Sequence, residues 1–93
     1  MAKKNKNVIG EFLKQKRIAA GLSQADVAEK MGYSTPQFIS NWERGVSHPP
    51  INALKKLAEI YTIPYRSLKS DFREAAIKDF VNSLDRKLDS AFS

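Results

Sequence analysis

Gln37, Ser40, Asn41 and Arg44 recur at the three- and four-residue spacing that stacks side chains on one face of a helix, and all four can hydrogen-bond. An amide pairs bidentately with adenine, a guanidinium with guanine or phosphate, and a short hydroxyl with either. This face therefore has the chemistry of major-groove readout. Ile39 and Trp42 fall on the other side of the same helix, which is thus amphipathic. A polar outer face is also what any solvated helix shows, so the assignment depends on the elements that hold this one in place.

The element before it is set by Ser23. Its hydroxyl can accept from the backbone amide of Asp26, whose carboxylate also suits the positive end of a helix starting near Gln24. Ala25, Val27, Ala28 and Met31 give that helix a mostly small apolar face, and Gly32 can take the left-handed conformation that ends it. Ser34 or Thr35 then caps the next helix, with Pro36 in its first turn and Gly45 as its stop. Upstream, a helix from Val8 to Ala20 places Ile9, Phe12, Leu13 and Ala20 on or near one face and stops at Gly21.

Downstream of Gly45 the loop Val46-Ser47-His48-Pro49-Pro50 carries the single histidine. A metal site would need further ligands and a catalytic base would need a nucleophile, and the sequence marks out neither, so a loop histidine near phosphate is the expectation. A fourth helix follows, with Ile51, Leu54, Leu57, Ala58 and Tyr61 as a core stripe; Lys55 and Lys56 either flank DNA or face solvent. Thr62 and Pro64 supply a cap and first-turn proline for a fifth helix through Tyr65 and Leu68.

From Ser70 to Phe92 there is neither glycine nor proline, and one long helix is expected. Ile77, Phe80, Val81, Leu84, Leu88, Ala91 and Phe92 form an apolar stripe on it, opposite a mixed-charge face. Such a stripe must fold back on the domain, pair with a second copy or bind another protein. Pairing with a second copy is the preferred expectation, centred on Ile77, Phe80, Val81, Leu84 and Leu88.

Composition agrees with a binding module. The 93 residues carry a formal charge of +6, split as +3 over residues 1–7, +4 over 8–69 and −1 over 70–93. Positive charge thus gathers where phosphates would be met. The arm with Lys3, Lys4 and Lys6 has no apolar anchor and is expected to be disordered when free. Nothing calls for a cofactor or metal: there is no cysteine, no phosphate-binding glycine loop and no nucleophile arrangement, so an enzyme is set aside. No apolar stretch approaches the roughly 18 residues of a membrane span, and the expected location is the cytoplasm.

The ordered residues Arg17, Gly21, Leu22-Ser23-Gln24, Ala28, Gly32, Ile39-Ser40-Asn41-Trp42-Glu43-Arg44-Gly45 and the prolines after them resemble the signature of the Cro/CI (lambda-repressor-like) helix-turn-helix family. The resemblance runs from Ile9 to about Leu68. It implies an all-α fold, a five-helix DNA-binding domain over residues 8–69, to which the chain adds the C-terminal helix of 70–93. It also implies that the third helix enters the major groove while the second lies across the backbone. Carried over residue by residue, Gln24 contacts a phosphate, Gln37 and Asn41 read bases with Ser34, Thr35 and Ser40 in support, and Arg44 meets phosphate or guanine. Arg17 and Glu43 occupy positions that form an ion pair in that family. Between Gly32 and Gly45 the chain has one residue more than the common family spacing, which leaves the start of the third helix between two caps. Phe38, at the edge of the apolar face, is assigned to the core by helical angle, with a thymine methyl as the other choice.

The expected function is that of a sequence-specific transcriptional regulator of double-stranded DNA, a repressor sooner than an activator, reading a pseudo-palindrome as a homodimer. One helix reading a few base pairs discriminates too weakly against a genome of competing sites. The alternative is an antitoxin-like autoregulator whose C-terminal helix holds a protein partner.

Overall fold

The computed structural model describes residues 7–92, and of Phe92 only the backbone; the basic arm residues Lys3, Lys4 and Lys6 lie outside them. Five α-helices follow in order: α1 (Val8–Ala19), α2 (Gln24–Met31), α3 (Gln37–Arg44), α4 (Leu54–Ile60) and α5 (Tyr65–Phe92), with a 3-10 turn over Ile51–Ala53 before α4. Helix α1 packs on α3 and α5, α2 on α3 and α4, and α4 on α5. The core they enclose contains Ile9, Leu13, Val27, Ala28, Ile39, Trp42, Leu54, Leu57, Ala58, Tyr61 and Leu68.

The ends of α2 follow directly from its sequence. Ser23 Oγ accepts from Asp26 N at 3.0 Å while Ser23 N donates to Asp26 Oδ2 at 2.9 Å, a reciprocal capping box. The carboxylate is held below its ordinary value of 3.8 by these bonds to Ser23, backbone first. Gly32 closes the helix at φ 85°, a conformation that costs a side-chain-bearing residue roughly 1 kcal/mol or more. Ala25, expected on the apolar face, is exposed.

Two expectations fail around α4. Ile51, read as the first rung of its core stripe, is 74% exposed. It lies on the 3-10 turn, where 3.0 residues per turn replace 3.6 and shift its angle away from Leu54 and Leu57. Thr62, read as the cap of the next helix, instead ends α4 with a left-handed backbone (φ 57°), and Ile63 N donates to Ala58 O across it.

The fifth helix and the C-terminal helix are one rod. Residue 70, where the sequence reading set a boundary, falls inside α5. At about 100° per residue, Leu68, Phe72, Ala75, Ala76 and Asp79 share the side turned to the domain, and all are buried or half-buried. Ile77, Phe80, Val81, Leu84 and Leu88 lie on the opposite side and are all exposed, Phe80 at 66%. The helix does fold back on the domain, but through a stripe different from the large apolar one.

Candidate nucleic-acid interface

Helix α3 is anchored from beneath. Ile39 and Trp42 are buried, and Glu43 joins them at 8% exposure because its charge is matched. Arg17 Nε donates to Glu43 Oε2 at 2.6 Å and Arg17 Nη2 to Oε1 at 3.0 Å, while Arg17 Nη1 reaches Leu22 O at 2.9 Å. Gln24 Nε2 adds a fourth bond, to Glu43 Oε1 at 2.9 Å. The pair joins α1, the turn before α2, α2 itself and α3. The bond to Glu43 holds the Arg17 guanidinium above its already high range. Burial pushes the nearby Tyr61 phenol up, with the Glu43 charge adding to it.

The same pair accounts for Phe38. Assigned to the core by helical angle, it is 54% exposed, its ring tilted against Tyr33 at 5.0 Å between centroids. Burial of Glu43 turns the inward sector of α3 toward Ile39 and Glu43 and leaves Phe38 at its margin. The hydrophobic pattern alone could not register this, because a glutamate counts as polar whether or not an arginine waits beneath it.

At its start, α3 opens at Gln37 after Pro36, so neither Ser34 nor Thr35 is the residue next to the helix. Thr35 Oγ1 accepts from Gln37 N at 3.2 Å, and Ser34 is exposed in the turn. Pro36, expected in the first helical turn, instead stands just before the helix, which begins at Gln37.

On the outer side the four polar residues form one hydrogen-bonded set. Gln37 Nε2 donates to Asn41 Oδ1 at 3.0 Å, Arg44 Nη2 donates to the same oxygen at 2.8 Å, and Arg44 Nε donates to Ser40 Oγ at 3.2 Å. These bonds hold the amides and the guanidinium in one surface at the cost of few rotamers, while donors remain for a ligand. Gln24, half-buried, lies behind this surface with one amide N–H committed to Glu43. His48 is exposed in the loop beyond Gly45.

Sequence reasoning missed Asn7, counted with the basic arm on composition. It is the N-cap of α1: Asn7 Oδ1 accepts from Gly10 N at 3.0 Å, and Asn7 Nδ2 donates to Glu43 O at 2.9 Å. Gly10 permits this, because a Cβ there would meet Asn7 Nδ2 and Glu43 O. The signal was present as an asparagine three residues before a glycine inside a helix pattern.

With a short α2, a left-handed glycine, a turn and a braced α3 in sequence, this is a helix-turn-helix unit. A protein-family model described as helix-turn-helix matches residues 13–68, more than half of the chain. The chain belongs to the Cro/CI-type helix-turn-helix family. Members of that family are DNA-binding transcription regulators and not enzymes, and the residues matched include α2, α3 and the turn between them. The family match ends at Leu68, and α5 runs on for some six further turns beyond it. A comparison with curated proteins finds no match.

Proposed function

We propose that the protein is a sequence-specific regulator that reads a pseudo-palindromic operator as a homodimer and represses by occupying it. The observation that carries the reading is the outer face of α3, where Gln37, Ser40, Asn41 and Arg44 are braced against one another and exposed or half-exposed. In this reading Gln37 and Asn41 meet base edges, Arg44 meets guanine or phosphate, and Ser34, Thr35 and Ser40 support them. Near α2, the backbone amides at its start share the phosphate contact with Gln24, whose side chain is partly spent on Glu43. Repression asks for nothing beyond occupancy.

The second copy is brought by α5. Ile77, Phe80, Val81, Leu84 and Leu88 together form an apolar surface of the kind that marks an interface. Two copies double the sequence read, with half-sites about one helical turn, roughly 34 Å, apart. The same face suits an antitoxin-like autoregulator that holds a different protein there. A chain that sediments as a monomer at micromolar concentration and leaves solution with a neighbouring gene product would favour that second reading.

The test is selection of bound duplexes from a random pool, repeated with Gln37→Ala and Asn41→Ala. Loss of preference at particular bases supports the assignment; uniform weakening across all sequences overturns it.

A further inference from the structure

Asp79 lies on the inward stripe of α5, one turn beyond Ala75, which is the last buried residue of that helix among the described side chains. Its two carboxylate oxygens are both engaged: Val8 N donates to Oδ1 at 2.8 Å and Ile9 N to Oδ2 at 2.9 Å, contacts that span 71 and 70 residues of chain. Backbone amides at the start of α1 have no partner within their own helix, and the positive end of the helix favours a carboxylate. A two-point attachment fixes rotation as well as distance. One residue earlier, Asn7 bonds Gly10 N and reaches across to Glu43 O in the last turn of α3, boxed between Gly10 and Gly45. A continuous set of hydrogen bonds therefore runs from α5 through the start of α1 to the end of the helix that carries the polar face.

We propose that Asp79 is a positioning residue that fixes the angle between α5 and α3 and thereby selects which half-site spacing the dimer accepts. The proposal rests on the two-copy reading above. Apolar docking by Leu68, Phe72 and Ala75 already holds the first half of α5, so Asp79 is not needed to keep the helix on the domain. What it governs is the direction of the rod, since apolar contacts hold the helix on the domain without fixing its angle. Leu88 stands about 20 Å beyond Ala75, and a pivot of the whole rod by about 15° about its docked segment would move it by about 5 Å, more than the 3.4 Å rise of one base pair. With the outer faces of two α5 helices joined, the same tilt displaces one α3 relative to the other by a comparable amount. A rigid joint makes the dimer intolerant of inserted or deleted base pairs, and a loose one makes it tolerant.

The experiment compares the full chain with Asp79→Ala and Asp79→Asn. The probes are duplexes carrying two copies of the half-site recovered by selection, their centres separated by roughly 8 to 13 base pairs in single steps, together with a duplex carrying one half-site. The parent should bind one spacing at least about ten-fold more tightly than its neighbours, since each added pair turns the half-sites by about 35°. Asp79→Ala should bind the single half-site as the parent does, sediment as the parent does, and lose that preference to within about three-fold across the series. Asp79→Asn keeps one acceptor oxygen and the side chain's shape, and should fall between. A purely structural role would lower affinity for every duplex, the single half-site included, and leave the profile's shape unchanged. That result in either folded variant overturns the assignment of Asp79. A parent that sediments as a monomer and binds all spacings equally overturns it by a different route, through failure of the two-copy reading.

Discussion

Two helix faces of this molecule are left uncovered by the fold, and they are opposite in character. On the outer side of α3, away from Phe38, the groups are amides, a hydroxyl and a guanidinium that already hydrogen-bond to one another. On α5 they are Ile77, Phe80, Val81, Leu84 and Leu88. The first face loses little by staying in water, and a ligand must offer hydrogen bonds in a matching pattern to displace that water, which is the basis of specificity. The second gains by leaving water against any apolar surface of suitable shape, which makes it a source of affinity with little selectivity. In the reading proposed above, discrimination and assembly fall on different helices, and substitutions should separate them.

The largest effect falls beneath the α3 face. Glu43→Ala leaves the Arg17 guanidinium, which is 12% exposed, without its partner and should destabilise the domain by about 3 to 5 kcal/mol. Both faces would be lost together. A circular-dichroism melt superimposable on the parent's would show that the pair braces nothing. Next, Leu84→Asp should weaken self-association by at least about 2 kcal/mol, some thirty-fold, with single half-site binding and monomer stability unchanged. Sedimentation equilibrium measures the first and a titration with a one-half-site duplex the second; a shift in both would mean that the faces are not separate.

On the reading side, Asn41→Ala removes the acceptor shared by Gln37 and Arg44, and should cost about 1 to 3 kcal/mol at particular base positions without altering sedimentation. Competition binding with single-base variants of the selected site checks this. The smallest effect belongs to the scaffold. The folded-state pKa of Asp26 is depressed, so its contribution is present above the ordinary value of 3.8 and is lost as pH falls through the lowered folded value. The difference in Tm between the parent and Asp26→Asn should therefore shrink on going from about pH 6 to about pH 3. A difference that stays constant over that interval would remove the carboxylate from the capping box.

How legible each element is in the sequence depends on how local its causes are. The bounds of α2 rest on Ser23, Asp26 and Gly32, each acting within four residues, and they follow from the sequence. The start of α3 does not, because Ser34, Thr35 and Pro36 offer several competing local solutions and only packing of Ile39 and Trp42 chooses among them. Ile51 was misplaced because the 3.6-residue period was applied to a 3-10 turn, and Phe38 because the position of a buried glutamate moves the inward sector. Gln24 reads as a surface amide until Glu43 is found beside it.

The sequence by itself determined an all-α chain, the turn between two short helices and the polar face of the second, because capping, left-handed glycine and helical period are properties of neighbouring residues. Tertiary structure alone decided that α5 is one rod apolar on two sides, which side docks, and that Asp79 and Asn7 tie α5 and α3 to the start of α1. Those contacts join residues 36 to 71 positions apart. An aspartate in a helix carries no local mark of whether its carboxylate meets water or another helix's free amides; only the folded chain brings the donors to it.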